Sequence, residues 1–176
     1  MDQETAGKRK LIYRNFVKLF VQKFKLPSGK EYSYDIVKIN DGVGVLAFLN
    51  KDTLLLQRHY RPPINTTQLE IVCGGINDGE TPIQAAQREL LEETGYKGKI
   101  VYMTAGNPMA GTLDHKFHLF YATDLVKVAE PGVNEAEVFE NIEKSYTELL
   151  QEILEGKHLD VPLVMSVLFY NVLKLT

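Results

Sequence analysis

The sequence is poor in cysteine, in long apolar runs and in surplus positive charge. Cys73 is the only cysteine among 176 residues, so no disulfide forms within the chain, which is typical of a reducing compartment such as the cytoplasm. Apolar runs are far shorter than a membrane span and no secretory leader opens the chain, which predicts a protein without a membrane partner. A net charge of -3 and a pI near 5.8 argue against a general nucleic-acid surface.

Several catalytic and cofactor motifs are absent as well. No G-x-S-x-G or Walker sequence occurs, and Gly42-x-Gly44 lacks the rest of a dinucleotide fingerprint. His115 and His118 are three residues apart, which on a strand places them on opposite faces and favours ordinary sheet positions over a shared metal. Cys73 beside two glycines is typical of a small buried residue and not of a nucleophile. The carboxylates therefore carry the informative pattern.

A glycine turn followed by an acidic helix is predicted by the central sequence G-G-I-N-D-G-E-T-P-I-Q-A-A-Q-R-E-L-L-E-E-T-G-Y. Thr81 and Gln84 form a capping box, and Pro82 suits the first helical position. Gly95 supplies the left-handed residue that ends a helix. The helix is thus predicted from local signals alone.

Three carboxylates share one face of this helix. Glu89, Glu92 and Glu93 stand at i, i+3 and i+4 and crowd within one turn. Such crowding is repulsive unless cations bind, and Mg²⁺ and Mn²⁺ prefer oxygen ligands together with substrate phosphate oxygens. The small side chains of Ala85 and Ala86 are expected to leave room for a ligand. The alternative is an acidic helix face exposed to solvent.

The rest of the chain predicts an α/β architecture with a mixed sheet between helices. The turn Pro27-Ser28-Gly29 joins apolar and polar residues of 11–26 to 31–39, which indicates a β-hairpin. Further strands are predicted at 43–49, 53–57, 99–103, 116–122 and 138–142. Further helices are predicted from Ser145 to Gly156 and from Asp160 to about Leu175.

The fixed residues of the central stretch have the spacing of the Nudix box, and the chain resembles that superfamily. The matching positions are Gly74, Glu80, Arg88, Glu89, Leu90, Glu92, Glu93 and Gly95, followed by bulky Tyr96. A motif this long and chemically diverse matches by chance far less often than a lone G-x-G-x-x-G. The resemblance implies a Nudix fold over 42–176, preceded by dimer-forming strands over 11–41 and a loose polar start over 1–10.

Outside the box, the chain resembles the ADP-ribose and nucleoside diphosphate sugar pyrophosphatase branch. The segments that carry this resemblance are L-P-S-G-K, L-L-Q-R-H-Y-R-P, Q-L-E-I-V-C-G-G and A-G-T-L-D-H-K-F-H-L-F-Y-A-T-D-L. Two positions depart from the branch, since Ala110 replaces a proline and His115 stands where glutamate is common. The resemblance implies a metal-dependent pyrophosphatase that splits a nucleotide sugar into a nucleoside monophosphate and a sugar phosphate.

Carried over position by position, the resemblance implies a site for Mg²⁺ or Mn²⁺. The implied ligands are the backbone carbonyl of Cys73 and the carboxylates of Glu89, Glu92 and Glu93. Arg88 is implied to orient a box carboxylate, with Glu80 and the turn residue Gly74 in support. Two cations about 3.5–4 Å apart activate a water and neutralise a diphosphate.

The resemblance also implies residues for the substrate. Arg58 and Arg61 match arginines before the box, and one of them is expected to hold the diphosphate or the terminal ribose through its planar fork. Glu70 is expected to bind a sugar hydroxyl or a partner arginine. For Arg61 the alternative is a surface ion pair. Members of the branch are typically homodimers, in which Tyr32 or Tyr34 would stack on a base across the interface, the alternative being sheet packing.

A late acidic segment, P-G-V-N-E-A-E-V-F-E at 131–140, corresponds to the part of the branch that supplies a general base. Glu137 is the first candidate, followed by Glu140 and Glu135. The alternative is that all three are exposed charges at a strand end.

Two other functions stay open at this level. One is a Nudix hydrolase of another diphosphate, such as a dinucleoside polyphosphate, a nucleoside triphosphate or capped RNA, of which long RNA fits the acidic pI least. The other is a Nudix-like binding module without catalysis, which predicts missing box carboxylates, and none is missing.

Overall fold

The structure of the protein, a computed structural model, describes residues 4–5, 7–132 and 138–174. Its strands are β1 (Glu4–Thr5), β2 (Lys10–Arg14), β3 (Lys18–Lys25), β4 (Glu31–Lys38), β5 (Gly42–Phe48), β6 (Thr53–Arg61), β7 (Thr66–Glu70), β8 (Val72–Gly75), β9 (Tyr96–Gly106), β10 (Leu113–Asp114), β11 (Phe117–Lys127) and β12 (Phe139–Ser145). Its α-helices are α1 (Pro82–Thr94), α2 (Tyr146–Leu154) and α3 (Val161–Leu173). None of the described helices has the length and apolarity needed to cross a membrane.

The chain divides into two compact units, one formed by 1–41 with 106–117 and the other by 42–105 with 118–176. In the first unit the strand order is β1-β3-β4-β10, and β2 also pairs with β3. The β4–β10 pair is parallel and the other pairs are antiparallel. In the second unit the order is β12-β6-β5-β11-β9, with β7 on β6 and β8 on β5. The predicted α/β class is confirmed.

The predicted N-terminal hairpin is present as β3 and β4. Lys25 lies opposite Glu31 in this antiparallel pair, and Gly29 in the connecting turn has a φ of 83°, which glycine adopts without strain. Strand residues also occur within 1–10, where a loose start is predicted, because Glu4–Thr5 pairs with β3 and Lys10 begins β2. The N-terminal sheet therefore reaches further toward the chain start than the sequence pattern indicates.

The predicted acidic helix is confirmed from its first to its last residue. The Thr81 hydroxyl accepts a hydrogen bond from the Gln84 backbone N–H, and the Thr81 N–H donates to Gln84 Oε1 at 2.9 Å. Gly95 ends the helix with a φ of 78° and donates its N–H to the Leu91 carbonyl at 2.8 Å. Both ends thus satisfy the backbone groups that a helix leaves without internal partners.

Helix α1 packs its small side chains into the core of the second unit. Ala85 and Ala86 are fully buried in a cluster that includes Leu90 and Val45. The expectation that these alanines leave room for a ligand is wrong, because the space they leave is filled by β5. Their small size instead lets the helix approach the sheet closely, which brings the helix carboxylates near the strands.

The later helices begin as predicted, at residues whose side chains cap them. Ser145 Oγ accepts from the Glu148 backbone N–H at 3.2 Å, and Asp160 Oδ1 accepts from the Leu163 N–H at 2.8 Å. Strands β7 and β8 are not predicted by the sequence pattern. They form because the run from Thr66 to Gly75 pairs first with β6 and then with β5.

The cap residue Asp160 gives a testable pH dependence of stability. Burial, with a smaller contribution from Glu70, raises its pKa to about 6. Since the folded-state pKa is above the unfolded one, the protonated form stabilises the fold below about pH 4, and this contribution is lost as pH rises through 6. We expect Asp160→Asn, which still caps the helix, to match the wild type near pH 4 and to exceed its free energy of unfolding by roughly 1–3 kcal/mol at pH 7.5.

Urea unfolding at both pH values measures this difference. Asp160→Ala is the matched control, because it removes the ionisable group and also the cap, and is expected to be less stable than Asp160→Asn by about 1 kcal/mol. A difference in unfolding free energy between Asp160→Asn and wild type that does not change with pH would contradict a raised pKa of Asp160.

Candidate active site

Arg88 lies at the centre of the acidic helix face and binds three carboxylates. Its Nε and Nη2 donate to the two oxygens of Glu80 at 2.9 and 3.0 Å, and its Nη1 donates to Glu89 at 2.7 Å and to Glu92 at 3.1 Å. Nη2 also donates to the Gly75 carbonyl at 2.8 Å. The fork of Arg88 lowers the pKa of Glu80, and these carboxylates raise the pKa of Arg88. The guanidinium thus ties the glycine turn to the helix.

Gly74 provides the space in which the Glu89 carboxylate lies. A Cβ atom at Gly74 would stand 1.9 Å from Glu89 Cδ, far inside van der Waals contact. Glu89 is 9% exposed, so its carboxylate is pressed between the turn and the helix. The glycine at this position is therefore needed for the side chain opposite it and not for a special φ angle.

Glu93 is held from the sheet. Its Oε2 accepts from Gln57 Nε2 on β6 at 3.0 Å, and its backbone carbonyl accepts from Asn141 Nδ2 on β12 at 2.8 Å. Gln57 and Asn141 are direct partners in the antiparallel β6–β12 pair. Neither residue is predicted as a site residue from the sequence. The one signal for Gln57 is a polar residue directly after the apolar run Leu54–Leu56.

The oxygen-rich donor set on this helix face has the chemistry of a hard divalent-cation site. The glycine cradle around Glu89 seats one carboxylate, and Asn141 Oδ1 is a buried oxygen without a hydrogen-bond partner among the described residues. Within the described ranges, however, no three His, Cys, Asp or Glu side chains converge on one point. Arg88 Nη1 instead contacts both Glu89 and Glu92. The implied ligands, including the Cys73 carbonyl, therefore stay predictions.

Cys73 itself lies on β8 opposite Gly44, and burial raises the pKa of its thiol well above the ordinary value. A thiol with a raised pKa stays protonated at neutral pH and is a poor nucleophile. Cys73 is partly exposed, so the expectation of a buried side chain is not met, while the raised pKa supports the expectation that the thiol does not react.

Arg61 and Glu70 form a bidentate ion pair beside the helix carboxylates. Arg61 Nε and Nη2 donate to the two Glu70 oxygens at 2.9 and 2.6 Å, while Gln68 donates to the same carboxylate at 3.1 Å. Glu70 is 3% exposed and Arg61 is 38% exposed at the side chain. Glu70 lies opposite Gln57 on the neighbouring strand, so this pair is on the sheet face that Glu93 contacts.

Arg58 and Glu140 lie on the other face of the same sheet. They are cross-strand partners, and Arg58 Nη1 donates to Glu140 Oε2 at 3.1 Å in an exposed pair. Side chains alternate along a strand, and Gln57 next to Arg58 points to α1. The structure therefore does not bring Arg58 or Glu140 to the box carboxylates. The sequence predicts Arg58 as a substrate-binding residue and Glu140 as a candidate general base.

This placement predicts different effects for the two arginines. For the nucleotide-sugar substrate that the resemblance implies, we expect Arg61→Met to raise KM by about tenfold or more, because the implied charged hydrogen bond to that substrate and the partner of buried Glu70 would both be lost. Arg58→Met is the matched control and is expected to change KM by less than about threefold, since an exposed ion pair contributes little. Steady-state kinetics of both variants measure the difference, and equal effects would contradict the assignment.

The other two general-base candidates, Glu135 and Glu137, lie outside the described residues. Gly132, which precedes this segment, and Asn141, which lies on β12 after it, are both bonded to the end of α1. Gly132 donates its N–H to the Glu92 carbonyl at 2.7 Å, and Asn141 contacts the Glu93 carbonyl. The role of Glu137 stays a prediction.

The first compact unit, formed by 1–41 with 106–117, contains Tyr32, Tyr34 and His115. Tyr32 and Tyr34 lie on one face of β4 with their rings 5.0 Å apart in an edge contact, and both are exposed, Tyr32 at 54%. His115 is buried and its Nδ1 lies 2.7 Å from the Asn40 carbonyl. The departure from the branch at His115 is thus a hydrogen-bonded structural position within its own unit.

Comparisons with known proteins place the chain in a family. The NUDIX domain model matches residues 38–160. The chain is 33% identical over 131 residues to an ADP-ribose pyrophosphatase of Bacillus subtilis, covering 74% of this chain and 71% of the relative. It is 31% identical over 168 residues to a protein of Bacillus methanolicus named methanol dehydrogenase activator, covering 94% and 91%.

A crystal structure of an ADP compounds hydrolase superposes with a TM-score of 0.84 at 18% identity, covering 97% of this chain and 93% of that one, which shows a shared fold. The domain match spans the box, the sheet that holds it and α2. The chain belongs to the NUDIX family and is a Nudix hydrolase with an α/β Nudix fold.

Proposed function

We propose that this Nudix hydrolase splits the diphosphate of ADP-ribose or a related nucleoside diphosphate sugar into a nucleoside monophosphate and a sugar phosphate, with Mg²⁺ or Mn²⁺. The observation that carries the proposal is the assembled box, in which Arg88 holds Glu80, Glu89 and Glu92 against the glycine turn. The Bacillus subtilis relative named ADP-ribose pyrophosphatase supports the substrate class.

The cation would be held by the Cys73 carbonyl with Glu89, Glu92 and Glu93. When bound, it would neutralise the diphosphate and make a water nucleophilic. Contacts within the chain orient the carboxylates that would hold the cation. Arg88 fixes the orientation of the Glu89 and Glu92 carboxylates, and Gly74, which has no Cβ atom, leaves the space that the Glu89 carboxylate occupies.

Arg61 is the residue best placed to bind the substrate's anionic or hydroxyl oxygens. Its guanidinium is partly exposed, while Glu70 fixes its orientation from a buried position. A fork held in this way loses little freedom when it binds a diphosphate or a ribose. Glu70 therefore acts first on Arg61, in agreement with one of the two roles that the resemblance implies for it. Glu137 remains the first candidate for the general base.

A homodimer formed through the N-terminal strands is part of the proposal. Apolar side chains of β2 and the turn after it are exposed, among them Ile12 at 52% and Phe16 at 86%. Exposed apolar patches of this kind mark interaction surfaces. By analogy with the branch that the chain resembles, Tyr32 or Tyr34 of one copy would then stack on the substrate base bound by the other. Light scattering after size-exclusion chromatography measures the oligomeric state. A strictly monomeric protein would contradict the proposed homodimer.

The test of the activity is a substrate panel with released monophosphates measured by a coupled phosphatase. ADP-ribose, several nucleoside diphosphate sugars, dinucleoside polyphosphates and nucleoside triphosphates are compared with Mg²⁺, Mn²⁺ or chelator, for wild type and Glu93→Gln. Preference for the diphosphate sugars, lost with chelator and in the variant, supports the proposal. Preference for another class would move the assignment to that substrate, and no turnover with retained cation binding would indicate a binding module.

A further inference from the structure

A neutral amide pair holds Glu93, whereas an arginine holds Glu89 and Glu92. Gln57 Nε2 donates to the Glu93 side chain and Asn141 Nδ2 donates to its backbone carbonyl. The two amides lie side by side on β6 and β12, so one cross-strand pair fixes both the side chain and the main chain of Glu93. The sheet thus contacts both the side chain and the main chain of the last box glutamate.

Burial of the Gln57 side chain is unfavourable unless its amide is hydrogen-bonded. Gln57 is 2% exposed and follows Leu54, Leu55 and Leu56, all buried. A buried amide is unfavourable unless it is hydrogen-bonded, and an apolar side chain would pack here without that requirement. Its side-chain donor is directed to Glu93, so the contact with Glu93 accounts for a polar residue in this row.

The chemistry of a neutral donor suits a carboxylate that binds a cation. An amide N–H fixes the orientation of a carboxylate oxygen but adds no positive charge that would compete with a cation. Hydrogen bonds of this kind to ligating carboxylates affect metal affinity and activity strongly. The contact between Asn141 and the Glu93 carbonyl also completes the end of α1, where carbonyls have no partner within the helix.

We propose that Gln57 and Asn141 are positioning residues that hold Glu93 in the orientation needed for cation binding. This inference rests on the proposed function, because it takes Glu93 as a cation ligand. Gln57 acts on the carboxylate directly, and Asn141 acts on the backbone that carries it. We therefore expect a substitution of Gln57 to change cation binding only through its contact with Glu93.

The experiment measures Mn²⁺ binding, by the loss of the free-Mn²⁺ electron paramagnetic resonance signal, together with hydrolysis of ADP-ribose. We expect Gln57→Met to weaken Mn²⁺ binding and to lower kcat, each by about 10- to 100-fold, with little change in KM. Asn141→Ser, which removes the amide that reaches the Glu93 carbonyl and leaves Leu54, Leu55 and Leu56 unchanged, is expected to weaken Mn²⁺ binding by about tenfold. The control is Gln151→Met, which removes an exposed amide of α2 that donates to Glu155. It is expected to leave Mn²⁺ binding and kcat unchanged.

A double-variant cycle separates positioning from general destabilisation. In a Glu93→Gln background, Gln57→Met is expected to have no further effect beyond about twofold, since both act on one group. The inference is overturned if wild type is active, Glu93→Gln is impaired and Gln57→Met is not, or if the two effects add. A wild type that neither binds Mn²⁺ nor hydrolyses a nucleotide sugar would overturn the proposed function, and this inference with it.

Discussion

Replacing Gly74 with alanine is expected to lower kcat/KM for a nucleotide sugar by about 100-fold or more while the protein stays folded, because a misplaced active-site group has effects of that size. The added Cβ would stand 1.9 Å from Glu89 Cδ, so the two cannot coexist. The Glu89 carboxylate must move, because it is the end of a flexible side chain. The Glu89 carboxylate therefore leaves its position and its contact with Arg88, while the backbone of the turn stays in place.

Kinetics and thermal unfolding of the same samples measure the two parts of this prediction. Gly75→Ala is the matched control, because a Cβ there meets nothing within 4 Å and the carbonyl that accepts from Arg88 is kept. We expect this control to retain most of the activity. A Gly74→Ala variant with nearly wild-type kcat/KM would show that Glu89 is not needed in the observed position.

Replacing Arg88 with lysine is expected to lower activity almost as much as replacing it with methionine, by about 100-fold in both cases, since the group that orients several carboxylates is lost. A lysine restores the charge but not the planar fork that reaches Glu80, Glu89, Glu92 and the Gly75 carbonyl at once. Without the fork, the crowded carboxylates repel each other and turn away from the glycine turn.

A second readout separates orientation from charge. We expect added Mg²⁺ to raise the melting temperature of Arg88→Met more than that of wild type, because the cation would replace the lost positive charge among the carboxylates. Lys127→Met is the control, since it removes one exposed charge paired with Glu130 outside the box. Full activity of Arg88→Lys would mean that charge alone is sufficient and that the observed hydrogen bonds are not functional.

Helix α1 and its box were predictable because every signal for them is local. The capping box at Thr81, the stop at Gly95 and the i, i+3, i+4 carboxylates lie within a single short stretch, and the structure has the helix bounds that they predict. The hairpin of β3 and β4 was predictable for the same reason, since its turn residues stand next to the strands they join.

The groups that hold Glu93 and the face on which Arg58 lies were not predictable, because they depend on long-range strand register. Gln57 and Asn141 meet only because β12 pairs with β6 in one particular register, and a shift of β12 by one residue would turn Asn141 to the other face, away from Gln57. The same register directs Arg58 to Glu140 and away from α1. A motif match assigns residue types to a site but does not give the direction in which a strand presents them.

The structural role of small residues was also beyond the sequence pattern. Ala85 and Ala86 have the size expected beside a ligand, yet they are buried against β5. Gly74 has no positive φ, and its function appears only when the Glu89 carboxylate is placed opposite it. Close approach between two elements is a tertiary property, so neither case has a local signal.

The central claim is that the assembled box hydrolyses the diphosphate of a nucleotide sugar, and the ³¹P NMR spectrum of ADP-ribose incubated with the wild-type protein and Mg²⁺ tests it most directly. We expect the diphosphate resonances to be replaced by two phosphomonoester resonances, of AMP and ribose 5-phosphate, and we expect chelator or Glu93→Gln to prevent the change. Diphosphate resonances that persist with stoichiometric protein, in both Mg²⁺ and Mn²⁺, would contradict it.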